Sequence, residues 1–242
     1  MFSHFLSIDN PKAIKAQKLG WLNGINYMAP HKLASTTERL INLCANASPA
    51  CINLCLGKTS GNAALYPTVI RSRIAKAQWF MADRKAFMRA FIKAAARLER
   101  EASSSALLPC LRPNGATDIP WEGIKAEDGR TIFEWFPRVQ FVDYTKSPKR
   151  ALAHAAGKMP ANYHLTFSRS ETNESDCLRV LEAGGNVAAV FAGPFPSTWH
   201  GFPVVNGDLS DLRHLDPKGV VVALSPKGRV AKADQSGFVI RG

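Results

Sequence analysis

Three cysteines near the N-terminus have the residue type and the spacing for metal chemistry. Cys44, Cys51 and Cys55 form the pattern C-x6-C-x3-C. Three thiolates on a short loop can hold three irons of a four-iron cluster, or they can bind zinc with a fourth protein ligand such as His31. The spacing matches neither a C-x2-C zinc ribbon nor a ferredoxin run. We therefore expect a metal site here, with iron–sulfur and zinc both open, beside the alternative that the thiols are small buried residues.

Polar side chains follow several apolar runs of the chain, and they form the second candidate site. Asp143 and Lys146 follow an apolar run beside an aromatic residue, where a carboxylate or an ammonium group can have a shifted pKa. The residues that we predict to be catalytic are Asp118, Asp143, Lys146 and Glu171. The residues that we predict to bind a ligand are Arg112, Asn114, Tyr144, Thr145, Arg150, Ser168, Arg169, Ser170 and Asn173.

A simpler explanation of these polar clusters stays open. Strands end in polar loops, and Asp, Asn and Ser often cap the next helix or form a turn. For Asp118 and Asn173 capping or turn formation is an equally good interpretation. If the clusters do converge, they form a polar and mostly cationic pocket for a ligand with phosphate or carboxylate groups.

The elements that must position these residues are short apolar strands. The runs at 107–111, 139–142, 163–167, 187–191 and 220–224 are apolar throughout, which is typical of strands buried on both faces of a parallel sheet. Five or six strands are too few for a complete eight-stranded barrel. The sequence therefore predicts an α/β fold, either a partial β/α barrel or an open and mainly parallel sheet.

Helices are predicted around these strands. Pro67 opens one helix, and Asp83 can cap a second one that extends to Arg100. The second helix has an apolar stripe and a basic remainder that could bind phosphates or be only a solvated face. Residues 131–136 and 174–183 also have a helical pattern, and 211–215 suit a short helical turn. We expect a single domain over 1–242, with a loop-rich cysteine-containing segment at 1–66 and the β/α core at 67–242.

The charge of the chain favours polyanionic partners. The 242 residues include 31 Lys and Arg against 19 Asp and Glu, for a formal net charge of +12. Such a surplus favours nucleic acid or a nucleotide, because cations that meet phosphates release condensed counterions. We expect no membrane span and no secretion signal, and hence a cytoplasmic protein with reduced thiols. A protein partner and any oligomeric state stay open.

A series of ordered motifs resembles the gene-product-88 type of phage and plasmid proteins. The resemblance covers about residues 19–239. It rests on the three cysteines and on the motifs LGWL at 19–22, YMAP at 27–30, SRIAK at 72–76, TDIPWE at 117–122, DYTK at 143–146, NYHLTFSRSE at 162–171 and GFPV at 201–204. It implies a protein of an infected or plasmid-bearing bacterium, and by itself it implies no activity.

A more distant similarity implies chemistry. The order of a three-cysteine loop, a strand before Asp118, a strand ending in Thr145 and Lys146, and a strand before residues 168–173 resembles the phage three-cysteine radical-SAM-like proteins. In radical-SAM enzymes three cysteines bind a 4Fe-4S cluster that cleaves S-adenosylmethionine to a 5′-deoxyadenosyl radical. The usual spacing there is C-x3-C-x2-C, from which this chain departs. The resemblance implies that Cys44, Cys51 and Cys55 bind the cluster and that the polar strand ends hold S-adenosylmethionine and substrate.

These observations lead to one principal functional hypothesis and two alternatives. The principal hypothesis is a radical-SAM-like iron–sulfur protein that acts on nucleic acid or a nucleotide. The first alternative is a radical-free base-modifying or base-exchange enzyme with a zinc site and Asp143 as nucleophile or base. The second is not an enzyme but a basic protein that binds nucleic acid or interferes with a host system.

Overall fold

The computed structural model describes residues 5–9, 11–59 and 61–241, and its central feature is a nine-stranded sheet. The strand order is β1-β2-β3-β4-β5-β8-β7-β6, and β9 pairs with the end of β5. All pairings are parallel except that of β6 with β7. The strands are β1 Trp21–Ile25, β2 Leu108–Arg112, β3 Gln140–Thr145, β4 Tyr163–Ser168, β5 Asn186–Phe191, β6 Thr198–Trp199, β7 Phe202–Asn206, β8 Val221–Leu224 and β9 Val239–Ile240.

The helices of the described chain lie in the connections between strands, except for α1, which precedes β1. They are α1 Pro11–Gln17, α2 Pro49–Asn53, α3 Leu56–Thr59, α4 Gly61–Leu65, α5 Pro67–Ala82, α6 Arg84–Ser104, α7 Ile132–Trp135, α8 Pro148–Ala155, α9 Glu174–Glu182 and α10 Gly228–Lys232. Short 3-10 turns occupy Trp121–Gly123 and Arg213–Leu215. None of the helices in the described ranges has the length and apolar character needed to cross a membrane.

The predicted α/β class is confirmed, and the sheet is open rather than closed into a barrel. The five predicted strands appear as β2, β3, β4, β5 and β8. The segment at 1–66, which the sequence predicts to be loop-rich, also contains a strand, because β1 forms there and pairs with β2 in register. Asn23 and Gly24 disfavour a strand on propensity alone, and burial of the segment overrides that preference.

Both faces of the sheet are covered, as its apolar strands require. Along β3, Phe141 belongs to the core on the face that α6 covers, together with Phe91 of that helix. The next residue, Val142, packs on the opposite face with Leu212. This alternation follows from the two-residue period of a strand. It directs the side chains of one strand into two separate cores and leaves the strand ends free to form a site.

The two long helices begin where the sequence predicts. Pro67 is in the first turn of α5, and the Asp83 carboxylate accepts a hydrogen bond from the Ala86 N–H at 2.9 Å, which caps α6. α6 continues beyond the predicted end at Arg100 to Ser104. The helices predicted at 131–136 and 174–183 are confirmed as α7 and α9.

Candidate functional site

A cavity of about 720 Å³ opens at the edge of the sheet where the parallel strands end. We call this edge the carboxyl edge and this space the main cavity. The strands β2, β3, β4, β7 and β8 reach it with residues at or just after their last positions. The segment after β1 and the C-terminal segment near Phe238 complete its wall. Ligand sites of open α/β sheets lie at this edge.

Three thiols line the main cavity: those of Cys44, Cys51 and Cys55. All three are free. The Cys44 Sγ accepts a hydrogen bond from the His31 N–H at 3.2 Å and donates to the Ala116 carbonyl at 3.8 Å. Burial raises the pKa of Cys44 to about 12 and raises the pKa of Cys51 and Cys55 as well. As free thiols they are therefore protonated at neutral pH, and a metal would have to displace these protons.

The segment of residues 44–55, here the cysteine segment, is fixed by Glu171 from the loop after β4. One carboxylate oxygen accepts from the Ser48 hydroxyl at 2.7 Å, and the other accepts from the Ala50 N–H at 3.0 Å. The Ser48 hydroxyl also accepts from the Cys51 N–H, which caps α2. Glu171 thus holds the short helix that carries Cys51, and it acts on the cavity through that helix.

Asp118 connects Leu43, the residue just before the cysteine segment, to the end of β3. Its N–H donates to the Leu43 carbonyl at 2.8 Å, and its carboxylate accepts from the Lys146 N–H at 2.9 Å. The same carboxylate pairs with Arg150 at 2.6 Å. It also accepts from the Thr145 hydroxyl, and both Asp118 and Thr145 line the cavity.

Asp143 lies behind the cavity wall and is fully buried. Its carboxylate accepts from the Asn114 N–H at 2.8 Å, from the Asn114 side-chain amide at 2.8 Å and from the Tyr163 hydroxyl at 2.9 Å. Burial raises the pKa of Asp143 to about 7. The side chain is thus positioned to fix Asn114, which does line the cavity.

The Asn114 side chain organises the loop after β2. Its carbonyl oxygen accepts from the Thr117 hydroxyl, the Ile119 N–H and the Trp121 indole N–H. Its amide donates to the Ile119 carbonyl as well as to Asp143. These bonds satisfy both ends of the amide within the protein, so the loop is a preformed part of the cavity wall.

Arg150 is also behind the wall, in a buried ion-pair network. Its guanidinium pairs with Asp118 and, through two nitrogens, with Glu122 at 2.6 and 2.9 Å. It also donates to the Tyr163 hydroxyl at 3.0 Å. These partners hold the pKa of Arg150 above its ordinary value despite burial. Arg150 therefore orients Asp118 from outside the cavity.

Lys146 extends into the cavity from the end of β3. Its Nζ donates to the carbonyls of Ser168 and Arg169 at 3.4 and 3.2 Å and lies 5.1 Å from the centre of the Phe238 ring. Burial lowers the pKa of Lys146, and the nearby Cys51 opposes that shift when it is ionised. Its hydrogen-bond partners among the described residues are these two carbonyls, so the side chain places an ammonium group near Cys51 that no described carboxylate neutralises directly.

Arg112 and Tyr144 form a stacked pair on the cavity wall. The Arg112 guanidinium lies 4.7 Å from the centre of the Tyr144 ring and 3.9 Å from the Asp211 carboxylate. All three residues line the cavity. Burial raises the pKa of Tyr144 to about 12, so its hydroxyl is a neutral hydrogen-bonding group.

The remaining predicted residues form the loop after β4. Arg169 lines the cavity and donates to the carbonyls of Gly237 and Phe238 at 2.6 and 3.1 Å. The Asn173 side chain accepts from the Ser170 N–H at 2.6 Å and donates to the Ser168 carbonyl at 3.0 Å. Asn173 and Ser170 thus form a turn behind the cavity, whereas Ser168 lies on its wall.

The structure therefore divides the predicted residues into a lining and a support. The lining contains Cys44, Cys51, Cys55, Arg112, Asn114, Asp118, Tyr144, Thr145, Lys146, Ser168 and Arg169. The support consists of Asp143, Arg150, Ser170, Glu171 and Asn173, each bonded to a neighbour of the lining or to the cysteine segment.

Sequence reasoning missed several lining residues. Asp208 pairs with Lys227 at 2.9 Å, and Asp211 pairs with Arg112. Phe238 and Val239 close the cavity from the C-terminal segment. The only sequence signal for Asp208 was its position after a β-branched pair, Val204 and Val205 in β7, which is too short a run to predict a strand.

Within the described ranges, no three histidine, cysteine or carboxylate side chains are already arranged around one point where a metal ion would sit. In a four-iron cluster each cysteine binds a separate iron, so the three sulfurs do not have to surround a single point. The donor type at the cavity, three thiols from one segment, is the type that such clusters use.

The fold and the cavity define an open α/β protein with three thiols at the carboxyl edge of a parallel sheet. The chain matches the family model "Gene product 88" over residues 4–242. It therefore belongs to the gene product 88 family. No curated protein and no solved structure matches the chain, so the resemblance to radical-SAM-like proteins has no support from these comparisons.

Proposed function

We propose that this protein is a cytoplasmic, radical-SAM-like iron–sulfur protein that acts on nucleic acid or a nucleotide. The single observation that carries the proposal is that Cys44, Cys51 and Cys55 all line the main cavity at the carboxyl edge. Three thiols can bind three irons and leave a fourth for an outside ligand. When bound, such a cluster supplies the electron for reductive cleavage of S-adenosylmethionine.

The residues around the thiols fit a negatively charged metal–thiolate group. Lys146 places its ammonium near Cys51, where it offsets thiolate charge. The His31 N–H donates to the sulfur of Cys44, and the backbone of Gly57 opposes the rise that burial causes in the pKa of Cys55. Hydrogen bonds to cluster sulfurs and burial are the means by which a protein adjusts a cluster.

The charges of the cavity favour an anionic ligand in the remaining space. Among the described residues, seven cations line the cavity: Lys15, Lys32, Lys58, Lys146, Lys227, Arg112 and Arg169. Its three carboxylates, those of Asp118, Asp208 and Asp211, each pair with a cation already. An incoming phosphate or carboxylate therefore meets uncompensated positive charge, and the Tyr144 ring offers an aromatic surface for a base.

The decisive experiment measures iron, sulfide and zinc in protein purified and reconstituted without oxygen. We compare the wild-type chain with a Cys44→Ala/Cys51→Ala/Cys55→Ala variant and with Cys177→Ala as the matched control. Cys177 is a buried thiol of α9 that does not line the main cavity. We expect about four irons and four sulfides per chain in wild type and control and almost none in the triple variant.

Each other outcome contradicts the proposal in a defined way. One zinc per chain that the triple variant loses would favour the radical-free base-modifying alternative. No bound metal in a folded protein would favour the non-enzymatic binding protein. If the cluster is present, S-adenosylmethionine must change its electron paramagnetic resonance spectrum, and an unchanged spectrum would reject the radical-SAM-like part of the proposal.

A further inference from the structure

One exposed face of α6 carries five cations in a line. Lys85, Arg89, Lys93, Arg97 and Arg100 are spaced by three or four residues, so they share one face of the helix. All five are exposed. The line extends over about 22 Å at the helical rise of ~1.5 Å per residue. We call it the basic face.

Little negative charge offsets the basic face. Arg89 pairs with Glu127 at 2.6 Å, and Arg97 lies 3.9 Å from Glu101. In the ranges that the structure describes, no carboxylate lies within 4.0 Å of the cationic groups of Lys85, Lys93 or Arg100. The face therefore retains a net positive charge and attracts anions over a distance comparable with a Debye length.

The opposite face of α6 anchors the line of charges rigidly. Phe87, Phe91 and Leu98 are buried in the core between the helix and the sheet. Phe87 and Phe91 also pack against the Trp121 ring, at centroid distances of 6.3 and 5.1 Å. A helix fixed in this way presents its cations as one preformed row, which reduces the ordering cost of binding a linear polyanion.

An aromatic groove lies beside the row. It has a volume of about 130 Å³ between α6 and residues 126–135. Its lining from α6 is Lys85, Met88, Arg89 and Ile92, and its lining from the other segment is Ala126, Glu127, Asp128 and the partly exposed Trp135. Both carboxylates are already paired, Glu127 with Arg89 and Asp128 with Arg130, and the Arg130 guanidinium lies 3.7 Å from the centre of the Trp135 ring. Positive charge along a backbone together with an aromatic surface for bases is the arrangement by which proteins bind single strands.

We propose that the basic face and the Trp135 groove bind a single-stranded nucleic acid. The row of cations would contact successive phosphates, and Trp135 would stack on an unpaired base. The inference rests on the proposed function in one respect. The proposed function leaves nucleic acid and a free nucleotide open as the substrate, and this inference chooses the nucleic acid. The binding itself requires no metal, so the two proposals fail independently.

The test is fluorescence anisotropy with labelled single-stranded oligothymidylate of 20 nucleotides at several salt concentrations. The variant is Lys85→Ala/Lys93→Ala/Arg97→Ala. The matched control removes three exposed lysines elsewhere, Lys149→Ala/Lys158→Ala/Lys218→Ala, and so has the same net charge. We expect the basic-face variant to bind about tenfold more weakly and to lower the slope of log K against log salt by about 2, since each phosphate contact contributes ~0.7.

Several outcomes would overturn the proposal. An equal loss in the control variant would mean that net charge alone drives binding. Tighter binding of the corresponding duplex would reject a single-stranded partner. For the groove, Trp135→Ala must weaken binding several-fold while Trp135→Phe retains most of it, and equal affinity of the two would reject stacking.

The same preparations separate this inference from the proposed function. The basic-face variant must keep its metal content, because α6 is remote in sequence from the cysteine segment and its buried side is unchanged. The triple cysteine variant must keep its affinity for the oligonucleotide. Loss of both properties in either variant would indicate a folding defect, which circular dichroism detects and which would remove the support for the basic face.

Discussion

Glu171 affects the chemistry of the cavity through the position of a thiol. Its two oxygens accept from Ser48 and from the Ala50 N–H, and Ser48 in turn accepts from the Cys51 N–H. Hydrogen bonds to a charged group contribute about 1.5–3 kcal/mol, more than neutral ones. The sequence marks Glu171 as a candidate acid, and the structure gives it a positioning role.

We predict that Glu171→Ala loosens the cysteine segment without unfolding the protein. The Cys51 thiol should then react several-fold faster with a maleimide, because opening of α2 exposes it to solvent. Mass spectrometry of the Cys51 peptide after timed labelling measures this rate. Glu182→Ala, an exposed residue at the end of α9, is the control. Equal labelling rates in wild type and Glu171→Ala would show that the segment is held by other contacts.

The same principle limits what residue types predict about a site. Asp143, Lys146 and Arg150 all have suitable chemistry, and they come from β3, from the turn after it and from the start of α8. Only Lys146 of these three lines the cavity, whereas Asp143 and Arg150 are buried behind it. β3 continues to Thr145 rather than ending at residue 142, so Asp143 is inside the strand. Its side chain is on the same face of the sheet as that of Phe141 and contacts Tyr163 there.

At the scale of elements, the strands with long apolar runs could be predicted, and those that depend on tertiary contacts could not. β4 and β5 appear within a residue of their predicted ends. β1 contains Asn23 and Gly24, and β9 has only two residues, so both form because partners lie beside them, β2 and β5. The predicted carboxyl-edge site follows from the parallel order, but Asp208 and Phe238 depend on β7 and β9 and could not be found from sequence.

The contact between the ends of β1 and β2 has no room for a side chain. The Gly115 N–H donates to the Asn26 carbonyl at 2.9 Å. A Cβ atom on Gly115 would lie 2.8 Å from that carbonyl oxygen and 2.7 Å from the Tyr27 ring. Since the carbonyl belongs to the backbone, the two segments must separate to accept an alanine.

We therefore predict that Gly115→Ala destabilises the protein by about 1–3 kcal/mol, the usual cost of overpacking. Urea unfolding with an unchanged m value measures the difference. Gly123→Ala is the control, because a Cβ there meets no atom within 4 Å and the residue is exposed. Equal midpoints for the two variants would mean that the loops after β1 and β2 shift at little cost.

At the scale of the whole molecule, three partly buried histidines lie close to one face of the sheet. His164 of β4 contacts His154 of α8 at a ring-centroid distance of 5.0 Å, and His214 contacts the Trp21 ring at 4.5 Å. Buried nitrogens of all three have no hydrogen-bond partner among the described residues. Burial lowers the pKa of His164 to about 3 and of His214 to about 4, and it lowers the pKa of His154 too.

These histidines connect the stability of the whole fold to pH. A histidine with a lowered pKa in the folded state binds fewer protons there than in the unfolded chain, whose pKa is about 6.5. The free energy of unfolding therefore falls as the pH drops below that value, and the loss continues until the pH passes the folded pKa. For His164 the window extends from about 6.5 to about 3.

We predict that His164→Gln reduces this acid sensitivity. Between pH 6 and pH 4 the slope of unfolding free energy against pH should decrease by at most about 1.4 kcal/mol per pH unit. That limit is the slope that one additional proton bound by the unfolded chain produces. Urea unfolding at several pH values measures it, and comparison with wild type cancels the opposite effect of Asp143, whose raised pKa favours the folded state at low pH. A lower stability with an unchanged slope would mean that His164 contributes packing alone. A reduced slope would mean that His164 takes up a proton when the protein unfolds and thereby contributes to the acid sensitivity of the fold.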